Sequence, residues 1–236
     1  MTDRPEDTSF RRVAGLAAML SLPLALGSAI MSLAAVKFDV HAFSQPLLLL
    51  HSGAAGADLW RWSMFLDLFG YYLLIVPLIL SLRTQLRPLS HSWIDLFAVC
   101  LVAYTLVGAS GAAMLAMAVP PLVQAYGDAG TAQRAILEAV FSAQSNDVYR
   151  GLWNALEELL AGIGWVGMGL YLRRQQRGMG VVTIVLGLAC LFDSAGSMLN
   201  LGVSDAGLDV YLVLAPIWAF WLGLDRLRTP ASPSAE

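Results

Sequence analysis

A chain of 236 residues that is 58% hydrophobic and only 13% charged falls well short of the roughly 25% charged residues of a soluble domain. Its mean hydropathy of +0.66 fits a surface turned toward lipid, where an ionised side chain at mid-bilayer costs several kcal/mol. A formal net charge of −3 without any basic block argues against a nucleic-acid partner.

In chain order, residues 1–12 read as a cytoplasmic tail, and the apolar segment 13–36 follows Arg11 and Arg12. That segment is longer than the 7–15 apolar residues of a cleavable signal sequence, so a retained helix is expected. Five further segments, 62–82, 93–118, 151–172, 179–200 and 208–225, are continuous apolar runs without period-two alternation. Crossing a hydrocarbon core of ~30 Å takes ~20 helical residues, so these read as spans rather than barrel strands. Two long connections separate them. In 37–61, Pro46 precedes Leu47, Leu48, Leu49 and Leu50, an apolar run too short to span, which predicts an interfacial or re-entrant helix. In 119–150, Ile136, Leu137, Val140 and Phe141 share one face of an amphipathic helix over 131–144, expected to lie on the membrane or to cap the bundle. Residues 229–236 have the composition of a disordered cytoplasmic tail. The expected fold is all-α: a polytopic bundle of six transmembrane helices within 13–228, with two short outer interfacial helices.

Basic residues orient the bundle. Arg4, Arg11, Arg12, Arg83, Arg87, Arg173, Arg174, Arg177, Arg226 and Arg228 fall on one side, and Lys37, Arg61, Arg134 and Arg150 on the other. The ten-to-four division predicts cytoplasmic termini in a multi-pass membrane protein. Trp60, Trp62, Trp93 and Trp153 stand where helices begin and are expected at the headgroup boundary. Trp165, Trp218 and Trp221 are expected to pack deeper. Cys100 and Cys190 lie in apolar runs without CxxC spacing and read as small buried hydrophobes rather than a disulfide.

Ionisable residues inside the spans carry the functional information. Asp67, Glu157, Glu158 and Asp193 come from three different helices, each roughly 7–12 Å below the outer boundary at the α-helical rise. Each extends into a polar row: Ser63–Asp67–Tyr71, Asn154–Glu158, and Asp193–Ser197–Asn200. Such rows turn inward because lipid cannot hydrogen-bond them. No Lys or Arg lies at that depth; Arg61 and Arg150 at the helix mouths are nearest. Carboxyls gathered without cations bind a metal, hold protons or face water in a vestibule. The candidate ligand-binding set is Asp67, Tyr71, Asn154, Glu157, Glu158, Asp193, Ser197 and Asn200. Glu157 and Glu158 are adjacent, so they diverge by about 100° on a helix, and one is expected to snorkel or bond locally. The alternative assigns these groups to interhelical hydrogen bonds worth ~0.6 kcal/mol each. Asp95, near the cytoplasmic end of its helix, is expected to interact with the helix dipole instead.

His41, His51 and His91 all lie outside the predicted spans, which argues against haem ligation in the bundle. No metal-ligand spacing, phosphate loop or nucleophile elbow occurs, so no cofactor and no metal are expected. His41 and His51 folding over the acids would be the route to a metal site. Gly108, Ala112 and Ala116 follow a small-xxx-small spacing, and Gly162, Gly164, Gly167, Gly169, Gly187 and Gly196 point to close helix packing. A duplicated hairpin is a further expectation. Trp62, Asp67 and Arg83 align with Trp153, Glu158 and Arg174, and Ser110–Leu115 with Ser194–Leu199.

The segments Arg12-Val-Ala-Gly-Leu and Asp67-Leu-Phe-Gly-Tyr-Tyr-Leu-Leu-Ile-Val-Pro77, with the long outer connection before Trp153, resemble a bacterial six-helix membrane family known as domain of unknown function 4386. The resemblance implies a bacterial inner-membrane protein and no established activity. The residues themselves leave three functions open. The first is an outward-facing acidic pocket that binds or transports a proton, a cation or a cationic small solute. The second is an intramembrane lipid-modifying enzyme with a carboxylate site, metal-bound or not. The third is a structural or accessory subunit. The expected partners are the lipid bilayer and that solute, and a homo-oligomer is compatible with the sequence.

Overall fold

The computed structural model describes residues 8–39, 46–201 and 205–228. His41, most of both tails and residues 202–204 lie outside the described residues. All described regular structure is helical: α1 Thr8–Ala35, α2 Gly53–Asp67, α3 Val76–Leu86, α4 His91–Asp128, α5 Thr131–Asn146, α6 Glu158–Leu172, α7 Arg177–Met198 and α8 Asp205–Arg228. Two π-helical stretches, Leu68–Tyr72 and Asp147–Glu157, and a 3-10 turn, Leu73–Ile75, join α2 to α3 and α5 to α6 without a loop. Six continuous helical rods are therefore long and apolar enough to cross a membrane: Thr8–Ala35, Gly53–Leu89, His91–Asp128, Thr131–Leu172, Arg177–Met198 and Gly207–Arg228. The all-α membrane bundle and the multi-pass architecture are as the apolar runs predict.

The main core lies at the level of the spans. α6 packs on α7, α1 on α8, and α4 between α2 and α6. Glycines allow the closest of these approaches. A Cβ on Gly162 would fall 2.5 Å from the Leu191 side chain, and one on Gly187 2.6 Å from the Val166 amide nitrogen. Gly108, Ala112 and Ala116 of α4 are all buried, so this small-xxx-small row serves packing as predicted. Trp165 and Trp218 are fully buried with ring centroids 4.3 Å apart, and the Trp218 indole N–H donates to Thr183 Oγ1 at 2.8 Å.

The two long connections differ from expectation. The second, third and fourth rods have 37, 38 and 42 residues, about 55–63 Å at the α-helical rise, against a hydrocarbon core of ~30 Å. Their excess lengths stand together at the end opposite the arginine-rich turns and form a helical cap with its own apolar core. Leu49, Leu50, Trp60, Met64, Val119, Val123, Phe141 and Val148 belong to it. Pro46–His51 is a 3-10 turn whose Leu49 and Leu50 are buried there, so its apolar residues pack on protein. The 131–144 segment forms a helix, but one that runs on into the fourth span. α4 likewise continues through Pro120 and Pro121 to Asp128. Trp60 belongs to the cap core, whereas Trp62 and Trp93 are exposed, and Trp221, expected to pack inside, is exposed as well.

α1 ends where Lys37 and Phe38 adopt positive φ and the Phe38 N–H returns to the Leu33 carbonyl at 2.7 Å. α7 closes the same way: Asn200 takes φ 53° and the Leu201 N–H reaches the Gly196 carbonyl at 2.9 Å, the bond pattern of a left-handed helix cap. Asp95 is not simply a dipole partner. Its carboxylate pairs with Arg83 at 2.7 Å and Arg87 at 3.3 Å, locking the turn between the second and third spans.

Candidate functional site

Local sequence explains why the second span is irregular beside Asp67. Pro77 has no N–H and cannot continue an α-helix through the preceding turn. The turn before it tightens to 3-10, with the Val76 N–H on the Leu73 carbonyl. The turn before that widens, with the Leu73 N–H reaching back to Leu68. This π stretch starts directly after Asp67, and Tyr72 at its end has the unusual backbone φ −121°, ψ −72°. A Cβ on Gly70 would lie 2.5 Å from the Ala25 amide nitrogen, so glycine lets the widened turn press on α1.

The fourth span mirrors this chemistry from the other side. Its π stretch ends on Glu157, and Glu158 begins α6. The Trp153 indole N–H donates to the Gly108 carbonyl at 3.1 Å, and the Ser194 hydroxyl donates to the Ala155 carbonyl at 2.9 Å. The π stretch is thereby fastened to α4 and to α7. Single π turns inside α-helices, such as Leu68–Tyr72, are frequent at functional sites, and here it and the longer Asp147–Glu157 stretch both border the carboxyls.

The four acids converge. Glu157 is 2% exposed and accepts the Tyr72 hydroxyl at 3.3 Å and the Tyr211 hydroxyl at 3.4 Å. Both contacts are longer than the usual ~2.7–2.8 Å for O–H···O, so the carboxyl is held loosely. Asp67 and Glu158 lie within electrostatic reach of Glu157, and Glu158 meets Asp193 at hydrogen-bonding range. Glu158 is 2% and Asp193 0% exposed. Such an acid–acid contact is a hydrogen bond only when one carboxyl carries the proton that it donates to the other. Asp67 is only partly buried. Around Glu157, the rings of Tyr71, Tyr72, Tyr104 and Tyr211 form an aromatic wall with centroid separations of 6.1–6.4 Å. The Tyr104 hydroxyl donates to the Tyr71 carbonyl at 3.1 Å.

The expected residues are placed unequally. Asp67, Glu157, Glu158 and Asp193 come together, and Glu157 and Glu158 diverge to separate partners as adjacency requires. Neither snorkels, since both are buried. Nor do the buried acids stand in an open vestibule, because tyrosines and neighbouring acids enclose them. Tyr71 adjoins the cluster, but its hydroxyl donates to the Leu212 carbonyl at 2.9 Å. That carbonyl lies four residues before Pro216, whose missing N–H orphans it, so Tyr71 caps a proline-broken turn. Asn154 and Ser197 are half-buried, and among the described residues neither side chain hydrogen-bonds to the acids. Asn200 is exposed beyond the end of α7 and serves as its cap, not as a pocket ligand.

Tyr72, Tyr104 and Tyr211 were not among the expected residues. Tyr72 is five positions after Asp67, off the Asp67 face in an α-helix; the widened turn removes that obstacle. His51 packs edge-on against Tyr126 with centroids 5.0 Å apart, in the cap. Among the described residues no three His, Cys, Asp or Glu side chains form a metal-ligating group. The aligned hairpins are not equivalent in detail. Ser194 is buried and bridges helices, whereas Ser110 is exposed and bonds its own Leu106 carbonyl. No family model, no curated protein and no solved structure matches the chain, so the functional reading rests on this geometry.

Proposed function

We propose that the chain is a membrane transport protein whose carboxyl–tyrosine cluster takes up and releases protons as a proton, a cation or a cationic small solute crosses. The observation that carries this reading is Glu157. It is buried at span level, met by hydroxyls from the second and last spans, and within electrostatic reach of Asp67 and of the Glu158–Asp193 pair. Intramembrane acids facing a bundle interior mark proton and ion pathways, and interrupted helices are where transporters build such sites. With no cation embedded among them, protons or a bound cation supply the compensating charge. The arginine asymmetry supports cytoplasmic termini, an orientation that goes with a cap outside and a cluster in the outer half of the bilayer.

Reconstitution into liposomes loaded with a pH-sensitive dye tests this. Wild-type protein should move protons when a potential or a gradient of a cationic solute is imposed. E157Q, which keeps the shape and the capacity to hydrogen-bond, should lose that flux with unchanged folded yield. Equal flux from wild type and E157Q, or from wild type and empty liposomes across a panel of cations, would refute the proposal.

A further inference from the structure

A second feature lies far from the acids, at the arginine-rich end of the bundle. There the outer surface of α8 carries a groove of ≈ 380 Å³ lined by Ile217, Phe220, Trp221, Leu224, Asp225 and Arg228. Its wall is apolar and turned outward: Ile217 is 47% and Trp221 55% exposed. In a spanning helix such a surface faces acyl chains, and a tryptophan two turns from the helix end sits where indoles favour the headgroup boundary. The four apolar lining residues thus precede the two charged ones, which lie at the helix end.

The charge at that end is unbalanced. Asp225 accepts the Gln176 side-chain amide at 2.9 Å, so its carboxylate is already engaged by the turn between α6 and α7. That same turn carries Arg173, Arg174 and Arg177, all exposed. Arg174 lies over the Tyr171 ring at 5.0 Å. Arg12, also exposed, lies one turn before Gly15, the residue that packs against Leu227 of α8. Among the described residues, no carboxylate pairs with Arg12, Arg173, Arg174, Arg177 or Arg228. Arg226 differs, being buried and donating to Gln85. The groove thus runs from an apolar wall to Arg228, with the arginine-bearing α6–α7 turn held beside it through Gln176 and Asp225, an arrangement that matches an acyl chain joined to an anionic headgroup. Basic pockets at helix ends on the cytoplasmic face bind such lipids, each contact contributing ~1 kcal/mol, and guanidinium grips phosphate in a two-pronged fashion.

We propose that this groove is a binding site for an anionic phospholipid, with Arg228 holding the phosphate, the arginines of the α6–α7 turn supporting it, and Ile217, Trp221 and Leu224 receiving an acyl chain. The test is native mass spectrometry of the full-length, detergent-purified chain after incubation with equal amounts of phosphatidylglycerol and phosphatidylcholine. Wild type should retain phosphatidylglycerol preferentially. R228Q and, separately, R174Q should each reduce that preference about fivefold, the factor corresponding to ~1 kcal/mol per arginine. R134Q, which changes a basic residue of the opposite cap, should leave it intact. W221A should weaken retention of both lipids. Equal retention of the two lipids by wild type would overturn the proposal, as would full preference persisting in both R228Q and R174Q. So would displacement of phosphatidylglycerol by millimolar inorganic phosphate, which would identify a phosphate site rather than a lipid site.

Discussion

Gly108→Ala tests the link between packing and the acid cluster most directly. A Cβ at this position of α4 would lie 2.0 Å from Cε1, 2.4 Å from Cζ and 2.6 Å from Cδ1 of Tyr72. No relaxation of the methyl group can relieve three such contacts, so the ring must move. It has little room. Tyr72 is 4% exposed and stands against the rings of Tyr71 and Tyr104. Overpacking of this kind costs ~1–3 kcal/mol, and displacing the hydroxyl also removes one of two donors on the buried Glu157, worth ~1 kcal/mol. The expected loss is therefore about 2–4 kcal/mol. A glycine-to-alanine change in open helix instead gains up to ~1 kcal/mol. Gly127 provides that control, because nothing lies within 4 Å of its added Cβ. Unfolding of the two variants by denaturing detergent, with wild type alongside, should place G108A below and G127A at or above the parent. Proton flux in liposomes should fall in G108A alone. A G108A protein with wild-type stability and flux would refute the placement of Tyr72 and the reasoning built on it.

Three further outcomes follow from single contacts. Tyr71→Phe removes the donor to the carbonyl that Pro216 orphans and should cost about 1–2 kcal/mol in the same unfolding assay; an unchanged transition would mean that another group caps Leu212. Asp95→Asn breaks a half-exposed ion triad with Arg83 and Arg87 and should cost ~1 kcal/mol or less, a deficit that shrinks as salt is raised. Cys190 is fully buried, so in a C100S background a maleimide should modify it only after unfolding; rapid native labelling of C100S would contradict the packing of α7.

The sequence made the membrane-level architecture legible because apolar length alone decides it. Residues 13–36 against Thr8–Ala35, and 208–225 against Gly207–Arg228, differ only at their ends. The convergence of Asp67, Glu157, Glu158 and Asp193 was equally readable, since depth along three rods is simple arithmetic and lipid drives polar faces inward. The cap was not. Pro120, Pro121, Gly127 and Gly130 punctuate the chain as a loop does, and helix beyond the membrane loses the apolar continuity that marks a span. Its apolar core gathers Leu49 and Leu50 with Phe141 and Val148, a grouping that no local window contains. Tyr72 escaped for a narrower reason: face assignments assume a constant turn, and one proline downstream was enough to change it. Asn200 erred in the other direction, where a polar row was continued past the last helical residue.

The unbroken rods also have a mechanical meaning. The second and fourth spans pass from the acid level into the cap with no intervening loop, and in each the helical repeat changes at the π stretch. Each is a lever whose far end lies in the cap. A tilt of ~10° there would swing a tip ~25 Å away by about 4 Å, so small rearrangements around the carboxyls would become large displacements at the outer surface of the protein.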